Sequence, residues 1–135
     1  MTLTAKDLLQ QLIRIPSVNP AFLPVDSNST GEAQLTDFLQ NFFENLGCPW
    51  FRQPVHPGRD NLLVVLRAPG EGGQQAPILW ETHQDTVGVT GMKIDPFAAS
   101  ESQGRIWGRG ACDVKGALAA MLAALTRIQA AGVAP

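Results

Sequence analysis

Residues 78–85 read ILWETHQD, so a short apolar run is followed at once by polar side chains. Ile78, Leu79 and Trp80 are typical of a short strand, and His83 and Asp85 stand just beyond its carboxyl end. In open α/β sheets, ligands bind at the carboxyl ends of the strands. The stretch therefore predicts an α/β fold with a functional site at this position.

The spacing of His83 and Asp85 permits metal binding. One imidazole nitrogen can bind a metal while the carboxylate accepts a hydrogen bond from the other nitrogen, which fixes the tautomer of the ring. A histidine two residues before an aspartate is nevertheless a short and common pattern, and taken alone it is more often a solvated strand end.

A second polar cluster occupies residues 108–116, which read GRGACDVKG. Its glycines permit tight backbone geometry, which would display Asp113 on a constrained turn just before a helix. Asp113 could instead serve only as the N-cap of that helix. A phosphate-binding loop is a further alternative, but the Walker spacing is missing because Lys115 is not followed by Ser or Thr. Cys112 could be a thiolate ligand, although a small packed side chain is commoner in such a turn.

Apolar residues spaced three and four apart predict three helices. The first covers Lys6–Ile15 and is stopped by Pro16. The second begins after the capping residues Ser29-Thr30 and is closed by Gly47. The third, Gly116–Pro135, has one apolar face and polar interruptions, which predicts a helix docked on a core rather than a membrane span.

Short strands and loops are predicted between these helices. The stretch 51–55 is a weak strand candidate because Pro54 interrupts it, and 61–66, which reads NLLVVL, is predicted to be a buried strand. His56 lies between them among Pro and Gly, which indicates a loop residue. Turn-forming residues predict a loop over 16–30 and an exposed turn over 69–76, and a short strand over 104–107 leads into the second cluster.

Composition restricts the function classes. The chain has 135 residues, which fits one domain, and a formal net charge of −2 with scattered basic residues. Neither nucleic acid nor an anionic membrane surface is therefore an expected partner. Cys48 and Cys112 form no CxxC pair, and the N-terminus lacks the pattern of a signal peptide, so we expect a protein of the reducing cytoplasm.

Four stretches together carry a resemblance to a known family: LLQQLIRIPSVNP, ETHQDTVGV, MKIDPF and GRIWGRGACDVKGALAAML. In this order and spacing they resemble the metallopeptidase and deacylase group of acetylornithine deacetylase, succinyl-diaminopimelate desuccinylase, aminoacylase and carboxypeptidase G. The resemblance implies a three-layer α/β zinc-exopeptidase catalytic domain of the phosphorylase/hydrolase-like class. It also implies cleavage of the amide bond of N-acyl amino acids or small peptides by a metal-activated water.

The same resemblance assigns roles to three residues. His83 matches the ligand of one metal ion, and Asp85, the candidate catalytic residue, matches the carboxylate that orients this histidine. Asp113 matches the carboxylate that bridges two metal ions, often with a cis peptide bond to the next residue, here Val114. The implied cofactor is a pair of zinc ions, with cobalt as an alternative.

Length leads to one further expectation. Family members carry a Glu-Glu pair, a late histidine ligand and a lid or dimerisation domain, all beyond the point at which this sequence stops. We therefore expect residues 1–135 to form the N-terminal part of a catalytic domain whose complete protein is a homodimer, and to be inactive alone. The alternative is a non-catalytic module that retains the fold and serves in binding or assembly.

Overall fold

The computed structural model describes residues 3–23, 31–66, 76 and 78–132. Within these ranges there are three α-helices, one 3-10 turn at Pro20–Phe22, and four strands. The helices are α1 (Ala5–Arg14), α2 (Gly31–Asn45) and α3 (Lys115–Ala130). The strands are β1 (Trp50–His56), β2 (Arg59–Val64), β3 (Ser100–Ser102) and β4 (Arg105–Trp107).

Helix α1 confirms the first predicted helix to within one residue at each end. It begins with a capping box in which the Thr4 hydroxyl accepts from the Asp7 backbone N–H and the Asp7 carboxylate accepts from that of Thr4. Such reciprocal capping satisfies two backbone donors that would otherwise lack partners. Leu8, Leu12 and Ile13 form its buried face, so α1 is fixed at one end by its cap and along its length by the core.

The core lies where the three helices meet. Its buried members come mainly from one face of each helix: Leu8, Leu12, Leu35, Leu39, Phe43, Cys48, Leu118, Ala119, Leu122 and Leu125. The second and third predicted helices are therefore confirmed as core helices. The proposed Ser29-Thr30 cap, the turn over residues 69–75 and the last residues of the third predicted helix lie outside the described ranges. None of the described helices combines the length and the apolar character needed to cross a bilayer.

A β1–β2 hairpin covers one side of α2. Strand β1 runs through Pro54, because the register shifts between Pro54 and His56 and leaves Val55 as a bulge where a proline is tolerated. The prediction that His56 is a loop residue was wrong, since it ends β1 and pairs with Arg59.

The buried character predicted for residues 61–66 was also wrong. Leu62 and Val64 face the core, whereas the side chains of Leu63 and Val65 on the opposite face are exposed. The physical reason is that β2 has helix α2 on one face only, and within the described ranges its sheet contains no strand besides β1. An uninterrupted apolar run therefore did not indicate burial on both faces.

Residues 78–80 do not form the predicted strand. Ile78 and Leu79 are 84% and 83% exposed, and neither pairs with another strand in the described part of the chain. A strand is defined by its ladder of backbone hydrogen bonds, and an apolar run alone does not specify a partner. The segment that follows is nonetheless fixed, because Thr86 forms a parallel bridge with Val18.

A short β3–β4 hairpin leads into the Gly-rich turn before α3. Strand β4 confirms the strand predicted over residues 104–107. Along the described chain two helices precede four strands in two antiparallel pairs, and a third helix follows. This mixture of helices and small sheets is consistent with an α/β domain.

Candidate metal centre

An open cleft of about 230 Å³ lies between the segment after residue 82 and the turn before α3. His83, Asp85 and Thr86 line one wall, and residues 108–113 line the other. The two clusters that the sequence analysis selected, which are separated along the chain, therefore face each other across one cleft.

The segment 83–85 is extended, so alternate side chains point to opposite sides. His83 and Asp85 lie on the cleft side. Gln84 points away, where its Nε2 donates to the Asp60 carbonyl at 3.1 Å and its Oε1 accepts from the Thr36 hydroxyl at 3.0 Å. The amide of Gln84 therefore ties the segment that carries the two cleft residues to β2 and α2.

The imidazole of His83 lies between two aspartates. Its Nδ1 is 3.0 Å from the Asp85 carbonyl oxygen and 3.2 Å from Asp85 Oδ1, and its Nε2 is 3.1 Å from Asp113 Oδ1. Because a carbonyl oxygen only accepts hydrogen bonds, Nδ1 must carry a proton. In the neutral ring Nε2 then has its lone pair available on the side of Asp113.

The charges around His83 favour its protonated form. Desolvation alone would lower the pKa of His83, but the hydrogen bonds to the Asp85 carbonyl and the Asp113 carboxylate, with the charges of both aspartates, raise it above its ordinary value. Half of the His83 side chain and most of the Asp113 side chain are exposed, at 51% and 87%. Both groups are therefore accessible from the cleft.

The turn that presents Asp113 depends on its glycines. Gly110 has a φ of +82°, and a Cβ there would lie 3.0 Å from both the Lys115 stem and the Thr86 methyl group. At Gly116 a Cβ would meet the carbonyl oxygen of Ala111 at 2.6 Å. The peptide bond between Asp113 and Val114 is cis, as the family resemblance implied. The constrained turn predicted from the sequence is therefore confirmed.

Two alternatives for this turn are wrong. Asp113 is not the N-cap of α3, because Val114 occupies that position and no side chain caps it. Cys112 is not a packed residue, because it is exposed on the cleft wall. The turn places both side chains toward solvent instead, since the buried position in this stretch is taken by Lys115.

Lys115 is 2% exposed, and its side chain ties the Gly-rich turn to the core. Its Nζ donates to the carbonyl oxygens of Leu12 at 2.9 Å and Ile15 at 2.7 Å, near the end of α1. Burial lowers the pKa of Lys115 to about 8. The helix dipole favours a positive charge at the carboxyl end of a helix, which offsets part of the cost of burying the Lys115 ammonium group.

The donor set fits a divalent metal ion of the zinc type. Imidazole nitrogen and carboxylate oxygen are both zinc ligands, and two ligands of one tetrahedral zinc lie roughly 3.3–3.6 Å apart. The 3.1 Å between His83 Nε2 and Asp113 Oδ1 is close to that separation. No group of three or more ligand-type side chains is arranged around one point within the described ranges, so these residues supply only part of a coordination sphere.

Comparison with known proteins agrees with this geometry. Residues 79–135 match the model of "Peptidase family M20/M25/M40", and the match contains both walls of the cleft. Both walls of the cleft thus lie in a stretch that matches this family. It is 37% identical over 132 residues to a succinyl-diaminopimelate desuccinylase of Beijerinckia indica, and 34% identical over 125 residues to an acetylornithine deacetylase of Aliivibrio fischeri. The chain is also 32% identical over 126 residues to a protein of Halalkalibacterium halodurans named N-formyl-4-amino-5-aminomethyl-2-methylpyrimidine deformylase.

These relatives are longer proteins. The alignments cover 92%, 91% and 91% of this chain but 30%, 31% and 28% of the relatives. The chain thus spans about 30% of the length of the curated relatives it matches.

Of the three residues singled out from the sequence, His83 contacts both Asp85 and Asp113, and all three line the cleft. The sequence analysis missed the residues that hold them. Gln84 and Lys115 stood inside the quoted motifs, but nothing in their spacing indicated contacts with α1, α2 and β2. Asn19 also stood in a quoted motif, and its side chain contacts Asp85.

Proposed function

We propose that this chain provides part of the active site of a zinc-dependent hydrolase that cleaves the amide bond of N-acyl amino acids or small peptides. The contact of His83 with Asp85 on one side and Asp113 on the other is the observation that carries this proposal. It brings an imidazole nitrogen, the neighbouring carboxylate of Asp85 and the carboxylate of Asp113 into one accessible cleft.

Each residue has a distinct role in the proposed site. His83 would hold one ion through Nε2, while its Nδ1–H donates to the Asp85 carbonyl beside the Asp85 carboxylate, which keeps the ring in that tautomer. Asp113 would supply its exposed carboxylate to both ions. The Gly-rich turn and Lys115 hold Asp113 opposite His83.

Bound metal would lower the pKa of a water molecule and polarise the substrate carbonyl. Amide hydrolysis also requires a proton for the departing amine, which a general base would take from water and deliver. The general base, a glutamate by resemblance to the family, is assigned to no described residue.

The substrate proposal follows from chemistry that the relatives' names share. Desuccinylase, deacetylase and deformylase each describe removal of an acyl group from nitrogen. We favour the deacetylase and desuccinylase branch, with zinc or cobalt as the metal. We further propose that residues 1–135 are the N-terminal part of a three-layer catalytic domain in a cytoplasmic homodimer, with a separate lid or dimerisation domain.

The test is an activity screen of the natural full-length protein with zinc or cobalt, using N-acetylornithine, N-succinyl-diaminopimelate and dipeptides. His83→Ala and Asp113→Ala should each abolish hydrolysis, because each removes a metal ligand. His56→Ala is the matched control, since His56 is an exposed histidine at the end of β1, and it should retain the native rate. Near-native activity in either of the first two variants would refute the assigned roles.

A second candidate function is a non-catalytic module, favoured by the incomplete ligand set among the described residues. The two candidates differ in the activity screen. Hydrolysis of any acyl amino acid by the full-length protein excludes the module, whereas zinc binding without hydrolysis supports it.

A further inference from the structure

The side chain of Asn19 joins the start of the chain to the candidate metal centre. Its Nδ2 donates to Asp85 Oδ2 at 2.8 Å, and its Oδ1 accepts from the Ala21 backbone N–H at 3.0 Å. The Asn19 backbone N–H donates to the Thr86 carbonyl at 2.8 Å, and the Thr86 N–H donates to the Ser17 carbonyl at 2.8 Å. Asn19 is thus held at a fixed distance from Asp85 by backbone as well as side-chain contacts.

The two oxygens of Asp85 have different partners. Oδ2 accepts from Asn19, which leaves Oδ1 facing Nδ1 of His83 at 3.2 Å. A carboxylate without such a partner rotates over a broad range, since the terminal torsion of aspartate is only weakly restricted. The hydrogen bond from Asn19 therefore selects the rotation at which Asp85 faces the histidine.

We propose that Asn19 is a positioning residue, which keeps the Asp85 carboxylate beside Nδ1 of His83. There its charge adds to the hydrogen bond that the Asp85 carbonyl accepts from Nδ1–H, so that the ring holds this tautomer and presents Nε2 to a metal. The inference rests on the proposed function for its metal-binding part only. Groups that orient a metal-binding histidine typically affect metal affinity by about 10–100-fold when they are removed. The contact joins residues 66 positions apart in the sequence, so it acts only in the folded chain.

A purely structural role for Asn19 makes a different prediction. Asn19 also caps the 3-10 turn at Pro20–Phe22, and loss of that cap alone would lower stability without changing the histidine. Asn19→Ser separates the two roles, because serine is a good capping residue but is too short to reach Asp85. Asn19→Asp is a second variant that keeps the capping oxygen and removes the donor to Asp85.

The experiment uses the 135-residue chain with nitrogen-15-labelled histidine, at a pH at which the rings are neutral. NMR reports the tautomer of His83, with exposed His56 as the internal reference, and a titration with zinc chloride reports metal affinity. Both Asn19 variants should lower the ratio of Nδ1–H to Nε2–H tautomer at His83 by at least about fivefold. Zinc affinity should fall by about 10–100-fold.

Thr4→Ala is the matched control, because it removes the cap of α1 at a position outside the cleft and should leave both readouts unchanged. Asn19 variants whose tautomer ratio equals that of Thr4→Ala would overturn the inference, whether or not zinc binds. If zinc shifts His83 in no chain, the tautomer ratio alone decides the role of Asn19, and the proposed function is decided separately by the activity screen of the full-length protein.

Discussion

The ammonium group of Lys115 lies 2.7 Å from the carbonyl oxygen of Ile15, so the turn that presents Asp113 is tied to the end of α1. The same nitrogen also reaches the Leu12 carbonyl at 2.9 Å. These two contacts place a positive charge in the core, where its protonation is coupled to folding.

Stability should therefore rise with pH in the alkaline range. Burial lowers the pKa of Lys115 from 10.5 to about 8, so between these values the unfolded chain binds more protons than the folded chain. The free energy of unfolding should increase from pH 8 toward pH 10.5, by up to about 3 kcal/mol from this group. Urea denaturation of the native chain and of Lys115→Met across this range measures the effect.

The Lys115→Met chain isolates the contribution of the lysine. Burial raises the pKa of the Cys48 thiol, which opposes the rise at high pH, but Cys48 is common to both chains. The difference between the two free energies of unfolding should thus grow with pH. A difference that stays constant over the range would contradict a lowered pKa for Lys115.

Gly110→Ala should lower the free energy of unfolding by more than the cost of placing alanine in the left-handed backbone conformation of Gly110. A left-handed φ costs alanine about 1–2 kcal/mol, and a Cβ here also meets the Lys115 stem and the Thr86 methyl group at 3.0 Å. Overpacking of this kind adds about 1–3 kcal/mol. Thermal or urea denaturation gives the total loss.

Gly91→Ala is the matched control for that substitution. Gly91 has a φ of +80°, nearly equal to the +82° of Gly110, but nothing lies within 4 Å of a Cβ there. The difference between the two variants measures the close approach at Gly110. Equal losses would show that Lys115 and Thr86 move aside without cost.

Gln84→Ala should lower stability by about 1 kcal/mol, because it leaves the Asp60 carbonyl without its side-chain donor and removes one of two partners of the Thr36 hydroxyl, which keeps the Glu32 carbonyl. Gln53→Ala removes an exposed glutamine that accepts only from Asn61, and should cost much less. Denaturant titrations of the two variants provide the comparison. Similar losses would mean that the contacts behind the cleft contribute nothing beyond a surface hydrogen bond.

The exposed apolar residues after position 77 should promote self-association of the isolated chain. Ile78 and Leu79 are 84% and 83% exposed, and adjacent apolar side chains at this exposure favour contact with another copy. Analytical ultracentrifugation should show concentration-dependent mass that the double variant Ile78→Lys, Leu79→Lys abolishes. Val55→Lys replaces another exposed apolar side chain, on the β1 bulge, and should have little effect. A native chain that stays strictly monomeric at high concentration would contradict the prediction.

Local patterns were sufficient to predict the helices and the candidate ligands. Helix α1 has its cap, its apolar spacing and its stop signal within a dozen residues, and the Gly-rich turn before α3 is equally local. The selection of His83, Asp85 and Asp113 depended on motif resemblance, and the structure places the three in contact.

Long-range contacts could not be predicted in the same way. Lys115 reaches Ile15 across 100 positions, and Asn19 reaches Asp85 across 66. Neither residue type nor spacing specifies such partners, because each contact depends on how the helices dock. The exposure of Ile78 and Leu79 has the same origin, since burial of an apolar run depends on which elements cover it.

The bridge between Val18 and Thr86 makes the candidate site depend on a part of the chain that contributes no ligand. A translation start or a proteolytic cut that leaves Leu23 as the first residue would preserve every candidate ligand in the sequence. It would also remove the carbonyls that hold Lys115, the backbone partner of Thr86 and the amide that orients Asp85. Such a shortened form would lose only the first of the four stretches that carry the family resemblance and would keep the whole match over residues 79–135, while being unable to assemble the geometry they imply.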